Sequence, residues 1–259
     1  MAAILIASTL SRALAGVDGN YTQLFPSRGS RLLIALAIAV VMQWAPQSCA
    51  DASDSTQSEQ VCDPIADYYL GMEDYPQAIR RHEIVIKEHP DNALAYYHLG
   101  FAYGVVGDHR AELADYQKAV ELGLSDWQLF LNMGLLYLDG ERFDNAIAVL
   151  RIATLLGPYH PETHFNLGLA YERIGIYAQA EQELLLSLRL DPNQPDARNQ
   201  LGVIYAEERN YQRAHEEWTD LAESNPDYSP ARANLVILEQ VERGEVKGPQ
   251  RMSGFAHAP

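Results

Sequence analysis

The chain has 259 residues and a formal net charge of −16 at pH 7, from 19 basic and 35 acidic side chains. Such an acidic surface repels nucleic acid and anionic lipid, so the charge argues against a protein that binds either of them. The same charge favours solubility.

The first predicted element is a targeting segment over residues 1–50. Arg28 and Arg31 precede an apolar run at residues 32–42, and small residues follow it up to Ala50. This run is much shorter than the roughly 20 residues that span a bilayer. A basic start, a short apolar run and a small-residue end are typical of a secretory signal, and we expect cleavage after Ala50. Residues 1–27 form an unusually long extension ahead of this signal.

Cys49 gives the same segment a second interpretation. A cysteine that follows a short apolar run and a small residue, here Ser48, is a candidate for lipid modification. Bacterial lipoprotein signals normally have leucine three residues before that cysteine, and this chain has Pro46. Under both interpretations the protein is exported to the periplasm or envelope, and it meets the membrane only through the signal or a lipid. The acidic, Ser-rich residues 51–58 then form a flexible leader.

A 34-residue period occupies residues 59–228. The strings HLGFAY, NMGLLY, NLGLAY and QLGVIY recur at this spacing, and a weaker copy begins at Ala66. A fixed period of this size indicates a solenoid, whose function depends on its long surfaces. The predicted blocks are residues 59–92, 93–126, 127–160, 161–194 and 195–228.

Each block predicts a helix-turn-helix unit, because it carries two apolar stripes at helical spacing with a short turn between them. Small residues at the eighth, twentieth and twenty-seventh places let the two helices approach closely, and proline ends the second helix. The second block departs from this pattern, with Glu112 at a small-residue place and Leu124 at the proline place. We expect Glu112 to turn outward to solvent.

The last repeat is followed by residues 229–243, which predict one more first helix with a polar outer face. Such a helix caps the exposed end of a solenoid. Residues 244–259 show no periodicity and predict a disordered tail.

The pattern resembles the tetratricopeptide-repeat family over residues 59–228, about two-thirds of the chain. The string FNLGLAYERIGIYAQAEQELLLSLRLDPNQ matches the family pattern almost position for position. The resemblance implies an all-α, right-handed superhelical solenoid of five helix pairs plus the capping helix. It also implies a protein-interaction scaffold, in which the first helix of each pair lines a concave groove.

A polar row and an apolar row recur along these first helices. The polar row is His98, Asn132, Asn166, Gln200 and Asn234, and the predicted apolar contacts are Phe101, Leu135, Phe165 and Leu169. A primary amide can satisfy a peptide N–H and a peptide C=O together. The row resembles the asparagine ladder with which the repeats of O-linked N-acetylglucosamine transferases hold extended peptides. Alternatively, these amides bond to neighbouring helices of the solenoid.

Motifs for catalysis are absent from the sequence, which has no Gly-rich phosphate loop, HExxH, CxxC pair or nucleophile elbow. His160 and His164 are four residues apart, but Pro161 begins a new helix between them and no third ligand lies nearby in sequence. His82 and His109 occupy places that usually hold aromatic residues, so we expect packing roles. The sequence therefore predicts no enzyme, no cofactor and no metal site.

These observations together predict a non-catalytic adaptor of the cell envelope that binds an extended, neutral or basic segment of a partner protein. One alternative is a structural subunit that binds through its convex face or its ends. Another is a module that binds a glycan or an enzyme of polysaccharide or envelope synthesis, with Tyr97, Phe101 and Phe165 as exposed aromatic side chains. The sequence does not predict the oligomeric state.

Overall fold

A computed structural model describes residues 63–245 of the chain. The predicted targeting segment, the leader, Cys49 and residues 246–259 of the predicted tail lie outside this range. The described residues form eleven α-helices and no strand, which confirms the all-α class. Among these helices none is both long and apolar enough to cross a membrane.

The chain divides after Leu124 into two compact units. Unit 1 contains α1 (Pro64–Gly71), α2 (Tyr75–Glu88), α3 (Ala93–Val106) and α4 (His109–Glu121). Unit 2 contains α5 (Trp127–Asp139), α6 (Phe143–Leu156), α7 (Pro161–Arg173), α8 (Tyr177–Leu190), α9 (Pro195–Glu207), α10 (Tyr211–Ser224) and α11 (Ser229–Glu242). Odd-numbered helices are the first helices of the predicted pairs, and even-numbered helices are the second.

Local sequence fixes where these helices begin and end. Every helix of unit 1 begins after a side chain that accepts a hydrogen bond from the backbone N–H groups of its first turn. These capping residues are Asp63, Asp74, Asn92 and Asp108. In unit 2, α7, α9 and α11 instead have proline in their first turn, where no N–H is needed. Prolines also follow α2, α6, α8 and α10 within two residues.

The turn inside each helix pair requires one residue with a positive φ. The five residues are Glu73 (59°), Gly107 (84°), Glu141 (54°), Gly175 (76°) and Arg209 (61°). All five hold the fifteenth place of their 34-residue blocks. Glycine adopts this backbone freely, whereas another residue costs roughly 1 kcal/mol there. The fold therefore imposes the same turn even where the sequence supplies no glycine.

Within each pair, a glycine of the first helix lies against a large side chain of the second. The contacts are Gly100 with Tyr116, Gly134 with Leu150, Gly168 with Leu184, and Gly202 with Trp218. The small residues at the twentieth place are also fully buried in four of the five blocks, as Ala78, Ala146, Ala180 and Ala214. Each pair is therefore held by close helix contact at small residues.

Glu112 is the exception at the twentieth place, and the expectation that it turns to solvent is wrong. Its side chain is fully buried, and an added Cβ at Gly104 would lie 2.5 Å from its carboxyl carbon. Gly104 therefore provides the volume that Glu112 occupies. The Oε2 atom of Glu112 lies 2.9 Å from Nδ1 of His109. The packing role expected of His109 is also wrong, because its side chain is 56% exposed and contacts this carboxylate from the surface.

The last helix, α11, packs against α10 and α9 of unit 2. It buries Ala231, Asn234 and Leu238, while Val236 on its other side is 56% exposed. No second helix follows α11 within the described residues. This placement fits a terminal helix that covers the last pair, and the capping role stays a prediction.

Candidate peptide-binding surface

The first helices of unit 2 form one layer. Helix α7 contacts α5 on one side and α9 on the other, and α9 contacts α11. Helices α6, α8 and α10 pack behind this layer, against the helices on either side of each. The layer thus has a packed side and an open side, and it carries all the predicted site residues from Asn132 onward.

Several side chains of α7 and α5 are accessible. Phe165, Asn166 and Leu169 of α7 are half-buried, and so is Leu135 of the adjacent α5. Asn166 donates a hydrogen bond from Nδ2 to the carbonyl oxygen of Glu162, at 2.7 Å. Its amide is therefore held by its own helix beside two apolar side chains. We call Leu135, Phe165, Asn166 and Leu169 the α7 surface.

The other amides of the predicted row are buried. Asn132 is 8% exposed, and Gln200 and Asn234 are 0% exposed. Nδ2 of Asn234 donates to Oδ1 of Asn199 at 2.9 Å, which ties α11 to α9. The bond between Asn234 and Asn199 matches the alternative in which the amides bond to neighbouring helices. In this structure Gln200 and Asn234 offer no surface to a ligand, and their predicted ligand contact stays a prediction.

Acidic residues occur on α7 and on the adjacent α9. Glu172, at the end of α7, is 2% exposed, and burial raises its pKa to about 7. Nearby Arg173, with Nε 3.6 Å from Oε2 of Glu172, lowers this pKa, while Glu207 raises it. On α9, Asp196 accepts a hydrogen bond from the hydroxyl of Tyr228 at 2.8 Å. Glu162, in the first turn of α7, keeps a side chain that is 35% exposed, and its carboxylate suits a neutral or basic segment better than an acidic one.

In unit 1 the predicted site residues are buried. His98 is 8% exposed and Phe101 is 7% exposed. Nδ1 of His98 lies 2.9 Å from Oδ1 of Asp67, and its ring makes an edge contact with His82 at a centroid distance of 5.3 Å. The structure therefore places His98 in a buried cluster with Asp67 and His82, which could hold a metal ion.

The sequence alone does not reveal this cluster, because its members come from three different helices. A signal was nevertheless present. His98 stands where later repeats have Asn132 and Asn166, and His82 stands where two of them have leucine. Two histidines at unusual places of neighbouring repeats mark the cluster.

A family model described as a tetratricopeptide repeat matches residues 64–125 and 131–195. The chain belongs to the tetratricopeptide-repeat family. This confirms the family that the 34-residue period and its recurring strings predict.

Solved structures share this tetratricopeptide-repeat fold. YrrB, described as a TPR protein with an unusual peptide-binding site, is 23% identical with a TM-score of 0.62, over 64% of this chain and 86% of that one. MamA from Desulfovibrio magneticus RS-1 is 19% identical with a TM-score of 0.60, over 63% and 93%. Pseudomonas aeruginosa pilF is 23% identical with a TM-score of 0.57, over 70% and 82%. A search of curated proteins gave no match.

Proposed function

We propose that this tetratricopeptide-repeat protein is a non-catalytic interaction scaffold that binds an extended segment of a partner protein on the α7 surface. The observation that carries the proposal is the half-exposed pair Phe165 and Leu169 on either side of Asn166. Large apolar side chains that keep exposed edges in an inner helix layer gain free energy when a ligand covers them. Tetratricopeptide repeats are in general interaction modules, and this supports a binding role.

The α7 surface supplies two kinds of contact. Covering the exposed part of an apolar side chain contributes up to about 1 kcal/mol, and a net hydrogen bond to the amide of Asn166 about 0.5–1.5 kcal/mol. Ordering an extended segment offsets part of this gain. We therefore expect weak affinity, with a dissociation constant between the millimolar and the micromolar range. The formal net charge of −16 and the carboxylate of Glu162 favour a neutral or basic segment.

The binding experiment uses the full-length chain and a library of random, unstructured peptides. Peptides selected on the parent protein are then titrated against a Phe165→Ala/Leu169→Ala variant. We expect the dissociation constant to rise at least tenfold, because each lost contact is worth about 1 kcal/mol. Ile152→Ala/Leu155→Ala on α6 is the matched control, and it should bind as the parent does. Equal binding by the parent and the α7 variant would contradict the proposal.

In a second candidate function, the partner protein binds to the second helices of the pairs. At the end of α6 and in the turn after it, Ile152, Leu155, Leu156 and Tyr159 are 39%, 80%, 42% and 81% exposed. An exposed apolar stripe of this kind favours a structural subunit that docks through its outer face. The experiment above distinguishes the two functions, because Ile152→Ala/Leu155→Ala would then be the variant that loses a partner.

The glycan-binding alternative has less support. It relied on exposed aromatic side chains, and two of the three lie in the core of unit 1: Tyr97 is 3% exposed and Phe101 is 7% exposed. Only Phe165 keeps an accessible edge. A glycan site built on stacked aromatic rings would need more than this one ring.

We also propose that the protein acts in the cell envelope after export. The support is the sequence of residues 28–50, in which basic residues precede an apolar run and small residues follow it. Mass spectrometry of the protein purified from its native host tests this. A mature chain that begins at Asp51 identifies a cleaved signal, and one that begins at a lipid-modified Cys49 identifies a lipoprotein. A chain that retains residues 1–50 would contradict export by either route.

A further inference from the structure

The cluster in unit 1 brings together side chains from three successive helices, and all three are of types that can act as metal ligands. Asp67 comes from α1, His82 from α2 and His98 from α3. One ligand atom from each residue lies within 4.8 Å of the other two. Oδ1 of Asp67 is 2.9 Å from Nδ1 of His98 and 4.0 Å from Nε2 of His82. In a tetrahedral site with bonds of about 2.0–2.1 Å, ligand atoms are roughly 3.4 Å apart. Each of these two distances differs from that value by about half an ångström.

The imidazole of His82 has an unusual environment for a core histidine. The residue is 2% exposed, and neither ring nitrogen has a hydrogen-bond partner among residues 63–245. Buried polar atoms in folded proteins nearly always have partners, so this ring marks a place where a further group completes the site.

A small cavity lies between these side chains. Its volume is about 10 Å³, and Asp63, Val85 and Leu94 line it together with Asp67, His82 and His98. This is about the volume that one water-sized sphere requires. The cavity therefore has room for one small ion among two imidazoles and a carboxylate, and it has none for an organic ligand.

We propose that Asp67, His82 and His98 bind one transition-metal dication, with Zn²⁺ as the preferred probe. Two imidazole nitrogens and one carboxylate oxygen are a donor set that zinc accepts, whereas Mg²⁺ and Ca²⁺ take oxygen ligands. The bound ion would link α1, α2 and α3, and so fasten the short first helix of unit 1 to the helices behind it.

The repeats themselves supply variants that should keep the fold. His82→Leu introduces the residue found at the same place as Leu150 and Leu184, and His98→Asn introduces the amide found at Asn132. Both remove a proposed ligand. His89→Asn is the matched control, because His89 is exposed and lies outside the cluster. All proteins carry Cys→Ser changes at both cysteines, so that no thiolate competes for zinc.

Zinc alone is titrated into the full-length proteins near neutral pH, in competition with a chelator of known affinity. We expect one equivalent to bind to the parent and to His89→Asn. Affinity should fall at least about 100-fold in His82→Leu and His98→Asn, since even the loss of a residue that only orients a metal ligand costs about 10–100-fold. Zinc should also raise the melting temperature of the parent but not of these two variants, and Mg²⁺ should do neither.

Nuclear magnetic resonance of the parent keeps the test independent of how the variants fold. Zinc should shift the ring resonances of His82 and His98 and leave those of His89 unchanged. The proposal is overturned if the parent binds no zinc, if both variants bind it as the parent does, or if the resonances of His82 and His98 do not respond.

Discussion

Gly202→Ala tests the close contact on which each helix pair depends. An added Cβ at residue 202 would lie 2.6 Å from Cε2 of Trp218, well inside van der Waals contact. Trp218 is fully buried and donates from Nε1 to the carbonyl oxygen of Asn199 at 3.2 Å, so the ring has no space to move into. Overpacking of this kind costs about 1–3 kcal/mol. The better helix propensity of alanine stabilises the fold by about 1 kcal/mol. Weakening the hydrogen bond of Trp218 costs about the same, so these two effects nearly cancel.

We therefore expect Gly202→Ala to lower the free energy of unfolding by about 1–3 kcal/mol, measured in urea by far-ultraviolet circular dichroism. Gly140→Ala is the matched control, because an added Cβ there meets its nearest atom at 3.5 Å. In a Trp218→Ala background the ring is gone, and Gly202→Ala should become neutral or stabilising. Two results would refute this explanation. In one, Gly202→Ala and Gly140→Ala change the free energy of unfolding equally; in the other, Gly202→Ala still lowers it in the Trp218→Ala background.

Three further predictions concern buried polar groups and a helix cap in unit 2. The stability advantage of Glu172→Gln should grow by roughly 2 kcal/mol between about pH 5 and pH 8, because a carboxyl with its pKa raised to about 7 stays protonated in the folded protein at pH values where it already ionises in the unfolded chain. Urea midpoints at both pH values test this, with exposed Glu223→Gln as control. Asn234→Ala should cost about 1–3 kcal/mol, since Asn199 loses a buried donor at 2.9 Å, and unchanged stability would contradict this role. Asp126→Ala should cost about 1 kcal/mol in thermal unfolding, because it removes the cap of α5.

The period of the sequence predicts the helices well, because every block repeats the same physical demands. Apolar spacing sets the two helices, and small residues mark where they touch. The family and the all-α class are confirmed for this reason. The same period did not reveal the left-handed turn residue, because only Gly107 and Gly175 signal it, while Glu73, Glu141 and Arg209 adopt it under the demand of the fold.

Burial within the first-helix layer could not be predicted from the period alone. The same place in the repeat is half-buried at Asn166 and fully buried at Gln200, since exposure depends on the helices that lie on either side. The cluster of His82 and His98 is harder still, because its contacts join different repeats. Sequence position gives the face of a helix, whereas packing decides what covers that face.

The second repeat departs from its neighbours in a way that matters for recombination and redesign. Its second helix has the larger residue, Glu112, where the other blocks have a small one, and its first helix has the smaller residue, Gly104. At the place of Gly104 the other blocks carry Leu70, Leu138, Glu172 and Ala206. A consensus change at either place alone would leave a hole or a clash. The two positions therefore depend on each other, so a redesign of this block, or a graft of one of its helices into another repeat array, must change both residues together.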